Sequence, residues 1–266
     1  MMLLTREVRF TLKADRMSGE LEVPVTGHNG HGGIPAYDPG GCFFVLRITL
    51  AGSVDPVSSY LRSITDIDRE VRDKAIPFLQ NLWFEGRCDP ATVLKGLKDR
   101  LSESWRGSSL EKIEWILTPY HSVEWISSEP QMIRVSQKFE FSAAHRLHNP
   151  SLSDEENRRL FGKCNNPYGH GHNYELEVTL AGDPDTTGVL MPLSILEKIV
   201  HQQVIDPLDH KFLNLEVEAF KTCNPSVENI ARVIFGWLQS PLKQPNCRLD
   251  RVTVWETPKT WATYSE

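Results

Sequence analysis

The chain has 266 residues, 40% of them hydrophobic and 24% charged, with a formal net charge of −6. That length allows one large domain or two of ordinary size, and the composition is that of a globular protein able to bury a core. The acidic balance argues against a general nucleic-acid or anionic-membrane binder, although it leaves room for a local basic pocket. No apolar run reaches the roughly 18 residues that a membrane helix needs, and the start, Met1-Met-Leu-Leu-Thr-Arg-Glu7, carries no charged leader before an apolar stretch. The expectation is a protein that is neither exported nor membrane-spanning. Cys42, Cys88, Cys164, Cys223 and Cys247 are odd in number and form no CxxC pair, which fits free thiols in a reducing cytoplasm better than a disulfide framework.

Along the first half, Gly27-His-Asn-Gly-His-Gly-Gly33 is so rich in glycine that its two histidines read as part of a mobile loop rather than a metal site. Residues 44–52 then form a strand, and they match residues 174–182 at a shift of 130 positions. The same shift places Ala14-Asp-Arg-Met17 on Ala144-His-Arg-Leu147, Asp55 on Asp185 and Pro77 on Pro207. Later landmarks follow at slightly larger spacings: Cys88-Asp-Pro90 resembles Cys223-Asn-Pro225, and Thr118-Pro119 resembles Thr257-Pro258. Several landmarks in order at nearly one spacing indicate two copies of one fold, each reading β-β-α-α-β-β. The linker-like residues 126–131 place the boundary, giving domains 1–127 and 131–266.

In the second half, period-two alternation predicts strands near 132–141 and 173–182. Helices follow near 193–205 and 226–239, then strands near 248–256 and 260–265 joined by a hairpin-like turn at Thr257-Pro-Lys259. Helix 226–239 opens on Asn224-Pro-Ser226, a capping-type start, and carries Val227, Ile230, Val233, Ile234, Trp237 and Leu238 on one face. His170 and His172 lie two apart at the head of the 173–182 strand, so both rings point to one side. His145, after the 132–141 strand, is the natural third partner. Three imidazoles with an open fourth position form the pattern of a catalytic zinc site. Taken alone, the spacing fits a hydrogen-bonded histidine pair equally well. In the first half the corresponding positions hold Asp15, Gly40 and Cys42. Cys164 falls on Ile34, Asp209-His210 on Leu79-Gln80, and Glu256 on Leu117. The first copy thus reads as a scaffold that lacks the metal and catalytic residues.

Residues 136–265 carry Phe141-Ser-Ala-Ala-His-Arg-Leu147, Leu152-Ser-Asp-Glu-Glu-Asn157 and Leu160-Phe-Gly-Lys-Cys-Asn-Asn-Pro167. They also carry Gly169-His-Gly-His-Asn173, Pro207-Leu-Asp-His-Lys211, Val227-Glu-Asn229 and Trp255-Glu-Thr257. In these segments the half resembles the 6-pyruvoyl-tetrahydropterin synthase family, and the first half resembles it in outline. The resemblance implies an α+β tunnelling fold in tandem, each copy an antiparallel four-stranded sheet with two helices on one face. It implies zinc on His145, His170 and His172, a cysteine base at Cys164, and an aspartate–histidine pair at Asp209 and His210. It further implies a glutamate at Glu256 that grips the pterin and joins the proton relay, and a pterin contact at Ser226. The implied reaction is that of a carbon–oxygen lyase converting 7,8-dihydroneopterin triphosphate to 6-pyruvoyl-tetrahydropterin and triphosphate. The implied assembly is a homo-oligomer with sites near subunit or domain interfaces, with a small-molecule pterin triphosphate as partner and neither nucleic acid nor membrane. Val227 and Met191-Pro192 depart from the residues of many relatives. A sister group, the 6-carboxy-tetrahydropterin synthases, shares substrate and zinc site but releases acetaldehyde. Its members space the cysteine as C-x3-HGH, whereas Cys164 to His170 here is C-x5-HGH. A pterin- or purine-binding assembly module is the non-enzymatic alternative, and intact Cys164, Asp209 and His210 argue against it.

Overall fold

The computed structural model of the protein describes residues 1–13, 41–184 and 188–266. Asp15, Ile34, Gly40, Asp185 and the glycine-rich histidines lie outside the described residues. Internal contacts divide the chain into two compact units, Met1–Val135 with Gly182–Val189, and Ser136–Ala181 with Leu190–Glu266. No helix among the described residues is long and apolar enough to cross a membrane.

In the first unit, β1 (Met2–Lys13), β2 (Gly41–Gly52), β3 (Ser108–Thr118) and β4 (His121–Ile126) pair antiparallel in sequence order. Alternation decides which face is buried: Val8, Phe10 and Leu12 are inside, as are Leu46, Ile48 and Leu50. Helix α1 (Ile64–Glu70) runs through a π turn, Val71–Ala75, into α2 (Ile76–Glu85), and α3 (Pro90–Leu101) follows. Asp89 caps α3 by accepting from the Thr92 N–H at 2.9 Å, and Pro90 fills the first helical position. Gly96 lets α2 and α3 approach closely, because a Cβ there would sit 2.1 Å from the Phe78 ring. Leu79 and Gln80, which align with Asp209-His210, are buried.

The second unit takes β5 (Ile133–His145) from Ser136 onward, a strand longer than the alternation alone suggests, and then α4 (Asp154–Phe161). It continues through β6 (His170–Gly182), α5 (Leu193–Val200), a π turn at His201–Ile205, and α6 (Asp206–Leu208). Then come β7 (Lys211–Phe212), α7 (Leu213–Glu216), α8 (Val227–Gln239), β8 (Cys247–Thr257) and β9 (Thr260–Ser265). Strands β5, β6, β8 and β9 are hydrogen-bonded in that order, and β7 adds a short parallel pairing to β5. Cross-strand pairs Ser136–Thr179 and Ser142–Asn173 run in opposite directions, so β5 and β6 are antiparallel. Helix α8 buries Val227, Ile230, Ala231, Ile234, Phe235 and Leu238 and packs on β8 and β9. The predicted 193–205 helix is not uniformly α-helical. Pro207 has no N–H to give to the ladder, and the wide turn at His201–Ile205 lets the chain pass it. Pro77 stands in the same relation to Val71–Ala75.

Candidate metal centre

Strand period places His170 and His172 on one side of β6, and β5 delivers His145 at its last residue. The chain must turn sharply to enter β6. Gly169 has φ +72°, and a Cβ there would lie 3.0 Å from both the His145 carbonyl and the Phe212 ring, so glycine is required at this turn. Glu256, next to the end of β8, completes the group: donor atoms of His145, His170, His172 and Glu256 all lie within 4.8 Å of one another. Nε2 of His145 is 3.0 Å from Nε2 of His170, and Oε1 of Glu256 is 3.3 Å from His145 Nε2 and 3.4 Å from His172 Nε2.

The surroundings decide how these rings are protonated. His145 is fully buried, and its Nδ1 lies 2.6 Å from the Pro225 carbonyl oxygen. A carbonyl can only accept, so Nδ1 carries the proton and Nε2 is the atom turned to the cluster. Burial, then the neighbouring imidazoles, holds His170 below the ordinary histidine range; burial also lowers His172, against the opposing pull of Glu256. Both rings are therefore neutral at neutral pH. Glu256 is held below the usual carboxylate range by its contact with the His145 ring, and secondarily by His172, even though burial opposes ionisation. His172 Nε2, which faces the cluster, is buried without a hydrogen-bond partner among the described residues. Four electron-rich atoms thus converge with too few protons to satisfy them, and a bound cation meets that need. The group can hold a metal ion.

Cys164 follows α4, in a short 3-10 turn at Gly162–Asn165. Its carbonyl accepts from the Leu147 N–H at 2.8 Å, and buried Asn165 donates to the Leu147 carbonyl at 2.8 Å. These bonds fasten the turn to the end of β5, and Cys164 lines one cavity with His170 and His172. A second cavity is lined by Glu256, Asp209, Tyr174 and Trp255. Asp209 accepts from the Ser142 N–H at 2.8 Å and from His210 Nδ1 at 2.8 Å. Those contacts, the Ser142 N–H foremost, hold its carboxyl below the usual range. The His210 side chain is 82% exposed and lines neither cavity, so the pair is formed but stands apart from Cys164. Ser226 caps α8, accepting from the Asn229 N–H at 3.5 Å.

Several supporting residues escaped sequence reasoning. Pro225 and Asn224 were legible as a helix start, yet the Pro225 carbonyl also orients His145. Asn157, fully buried, ties Asn149, Leu152 and Ser153 to α4 through four hydrogen bonds. Ser153 and Glu156 form a capping box whose S-x-x-E signature was present to be read. Tyr174, two residues beyond His172, is buried with its hydroxyl 3.4 Å from His145 Nδ1. Burial, aided by the nearby Glu256 and Cys164, raises its pKa and keeps the phenol protonated.

A sequence model of the family described as 6-pyruvoyl tetrahydropterin synthase matches residues 134–266. A human protein named 6-pyruvoyl tetrahydrobiopterin synthase is 46% identical over 132 residues, spanning 49% of this chain and 90% of the relative. A Caenorhabditis elegans protein with the same name, marked putative, is 48% identical over 125 residues, covering 47% of this chain and 88% of its own. The solved structure of a Caenorhabditis elegans 6-pyruvoyl tetrahydropterin synthase is 44% identical, covers 51% of this chain and 96% of that one, and has a TM-score of 0.48. The matched half holds every one of the converging histidines, Glu256 and Cys164, and the chain belongs to the 6-pyruvoyl tetrahydropterin synthase family.

Proposed function

We propose that the protein is a zinc-dependent 6-pyruvoyl-tetrahydropterin synthase, a carbon–oxygen lyase that converts 7,8-dihydroneopterin triphosphate to 6-pyruvoyl-tetrahydropterin and triphosphate. The observation that carries this reading is the convergence of His145, His170, His172 and Glu256 beside a cavity that Cys164 shares. Three imidazoles suit zinc better than magnesium or calcium, which take oxygen ligands. Zinc on the three histidines would supply Lewis acidity toward the substrate's side-chain hydroxyls.

The protein's own groups do the rest. Cys164 acts as the base for a carbon-bound proton, since a thiol near a cation ionises more readily than a free one. Asp209 fixes the tautomer of His210 through Nδ1 and leaves Nε2 to pass protons. Glu256 aligns the His145 and His172 rings and is placed to accept two N–H donors of the pterin edge. Ser226 sits beside the segment that orients His145 and supplies a pterin contact.

The reading includes two tunnelling folds, over 1–127 and 131–266, each an antiparallel four-stranded sheet with two helices on one face. Support comes from the two π turns, Val71–Ala75 and His201–Ile205, which stand 130 positions apart, each with a proline at the second residue beyond. A homo-oligomer with sites near its interfaces accounts for the exposure of His210, which then serves a Cys164 outside its own neighbourhood. Free thiols at all five cysteines favour a cytoplasmic location.

The test is to incubate the metal-loaded protein with 7,8-dihydroneopterin triphosphate and measure triphosphate and the pterin product. Stoichiometric release of triphosphate with a pyruvoyl product is expected. No release, with no difference between wild type and Cys164→Ala, sinks the reading. Acetaldehyde among the products transfers it to the 6-carboxy-tetrahydropterin reaction.

A further inference from the structure

The two cavities beside the histidine cluster carry opposite charge. The first, about 730 Å3, is lined by Glu140, Glu175, Asp209 and Glu256 with aromatic Trp255 and Tyr174, and among the described residues no lysine or arginine lines it. The second, about 890 Å3, is lined by Arg146, Arg158 and Lys163 against one carboxylate, Asp154, and it is the cavity that holds Cys164. Of the four carboxylates on the first side, Glu175 is paired with Lys138 at 2.7 Å, which leaves Glu140, Asp209 and Glu256; the other side has three cations with one carboxylate.

The cations of the second cavity are not committed elsewhere. Arg146 gives its Nε–H to the Asn165 carbonyl at 3.2 Å and takes part in no ion pair among the described residues. Neither the Arg158 nor the Lys163 side chain takes part in an ion pair among the described residues. Arg158 lies in the last turn of α4, and Lys163 directly precedes Cys164.

We propose that this basic cavity is a polyphosphate subsite in which Arg158, Lys163 and Arg146 hold the triphosphate tail, so that charge alone orients the substrate across the histidines. This rests on the reaction proposed above. The heterocycle, flat and rich in N–H donors, goes to the acidic, aromatic-walled cavity; the polyanion goes to the basic one. The reverse pose would press the polyanion against Glu140, Asp209 and Glu256. The same cations serve the leaving group. When the C–O bond to the triphosphate breaks, its electron pair departs with the phosphate oxygen, and fixed positive charges stabilise the charge that develops there. The protons shifted along the side chain balance within the pterin and the released triphosphate, so no oxidant or reductant enters.

Inorganic triphosphate is the probe, titrated calorimetrically into the full-length chain at matched metal content. The double variant Arg158→Gln/Lys163→Gln should bind it at least about tenfold more weakly than wild type, since charge-assisted phosphate contacts are lost. Its affinity should also fall less steeply with added salt. Affinity for dihydroneopterin, which lacks the phosphates, should not change. Equal triphosphate affinity in wild type and variant overturns the subsite, as does loss of the thermal midpoint alone, which would mark Arg158 as a helix-end charge only. Weakened triphosphate binding in a protein that fails to turn over the substrate would retain the subsite and reject the reaction.

Discussion

The carbonyl oxygen of Pro225 accepts a hydrogen bond from Nδ1 of His145 at 2.6 Å, joining the loop before α8 to the last residue of β5. Because that bond fixes the tautomer, the loop controls which nitrogen His145 turns to the cluster. Asn224 braces the loop: its side chain accepts from the His148 N–H at 2.9 Å, and its carbonyl accepts from Asn229 Nδ2 at 2.9 Å. Asn224→Ala removes the first of these without touching a candidate ligand. Supporting residues of this kind typically matter by about 10- to 100-fold in metal affinity. Zinc affinity measured by chelator competition should fall within that range while the far-ultraviolet spectrum is unchanged. An unaltered affinity would mean that the loop does not hold the ring.

The pH behaviour of the metal-free protein follows from the imidazoles. His170 and His172 are both held below their ordinary 6.5. As pH falls through that value the unfolded chain takes up protons before the folded one, so stability should be fully present above about 6.5 and decline below it. Denaturant unfolding at a series of pH values reads this directly. Glu256 is the one group that pulls His172 upward. In Glu256→Gln the His172 titration, followed by NMR, should therefore move to still lower pH; movement upward would contradict the contact.

Why some of this was legible and some was not is visible in single residues. His170 and His172 could be placed together because a strand's period of two is local and strict. The α8 boundary was readable because Asn224-Pro-Ser226 is a local capping signal, and Ser226 does cap. Glu256 could not be brought to the histidines by any pattern, since β8 meets them only through tertiary packing. A resemblance supplied its importance, whereas the geometry supplies its contact with His145 and His172. The π turn at His201–Ile205 was hidden because an interior proline reads as a helix end. Helix α4 had its capping box in plain view, but with only Asn157 buried it lacks the apolar stripe by which helices are found.

Ser226 has two assignments, helix cap and pterin contact, and they separate by substitution. Ser226→Ala should lower unfolding stability by about 0.5–2 kcal/mol through the lost cap. Ser226→Asp keeps an acceptor for the Asn229 N–H and should restore most of that stability. If the hydroxyl also touches the pterin, the aspartate variant will still show a raised KM. A wild-type KM in the aspartate variant would leave Ser226 as a cap alone.

The Asp209–His210 pair separates backbone from chemistry in a different way. His210 has φ +57°, in the left-handed region that most side chains avoid but asparagine tolerates. Its N–H bonds to the Ser142 carbonyl at 2.6 Å, so this strained residue is pinned to β5 beside the anchored Asp209. His210→Asn keeps the backbone conformation and removes the imidazole; His210→Val removes the imidazole and adds β-branched strain at positive φ. With 82% of the side chain in solvent, neither change opens a cavity. Asn should therefore leave the thermal midpoint near wild type, while Val lowers it, by roughly 1–2 kcal/mol in stability. If His210 relays protons for a site completed by another copy, both variants will lose kcat by about 100-fold or more. Mixing His210→Asn with Cys164→Ala chains and allowing exchange should then recover part of the activity, because a hybrid assembly restores one intact site. Recovery absent despite verified subunit exchange would place the relay within a single chain.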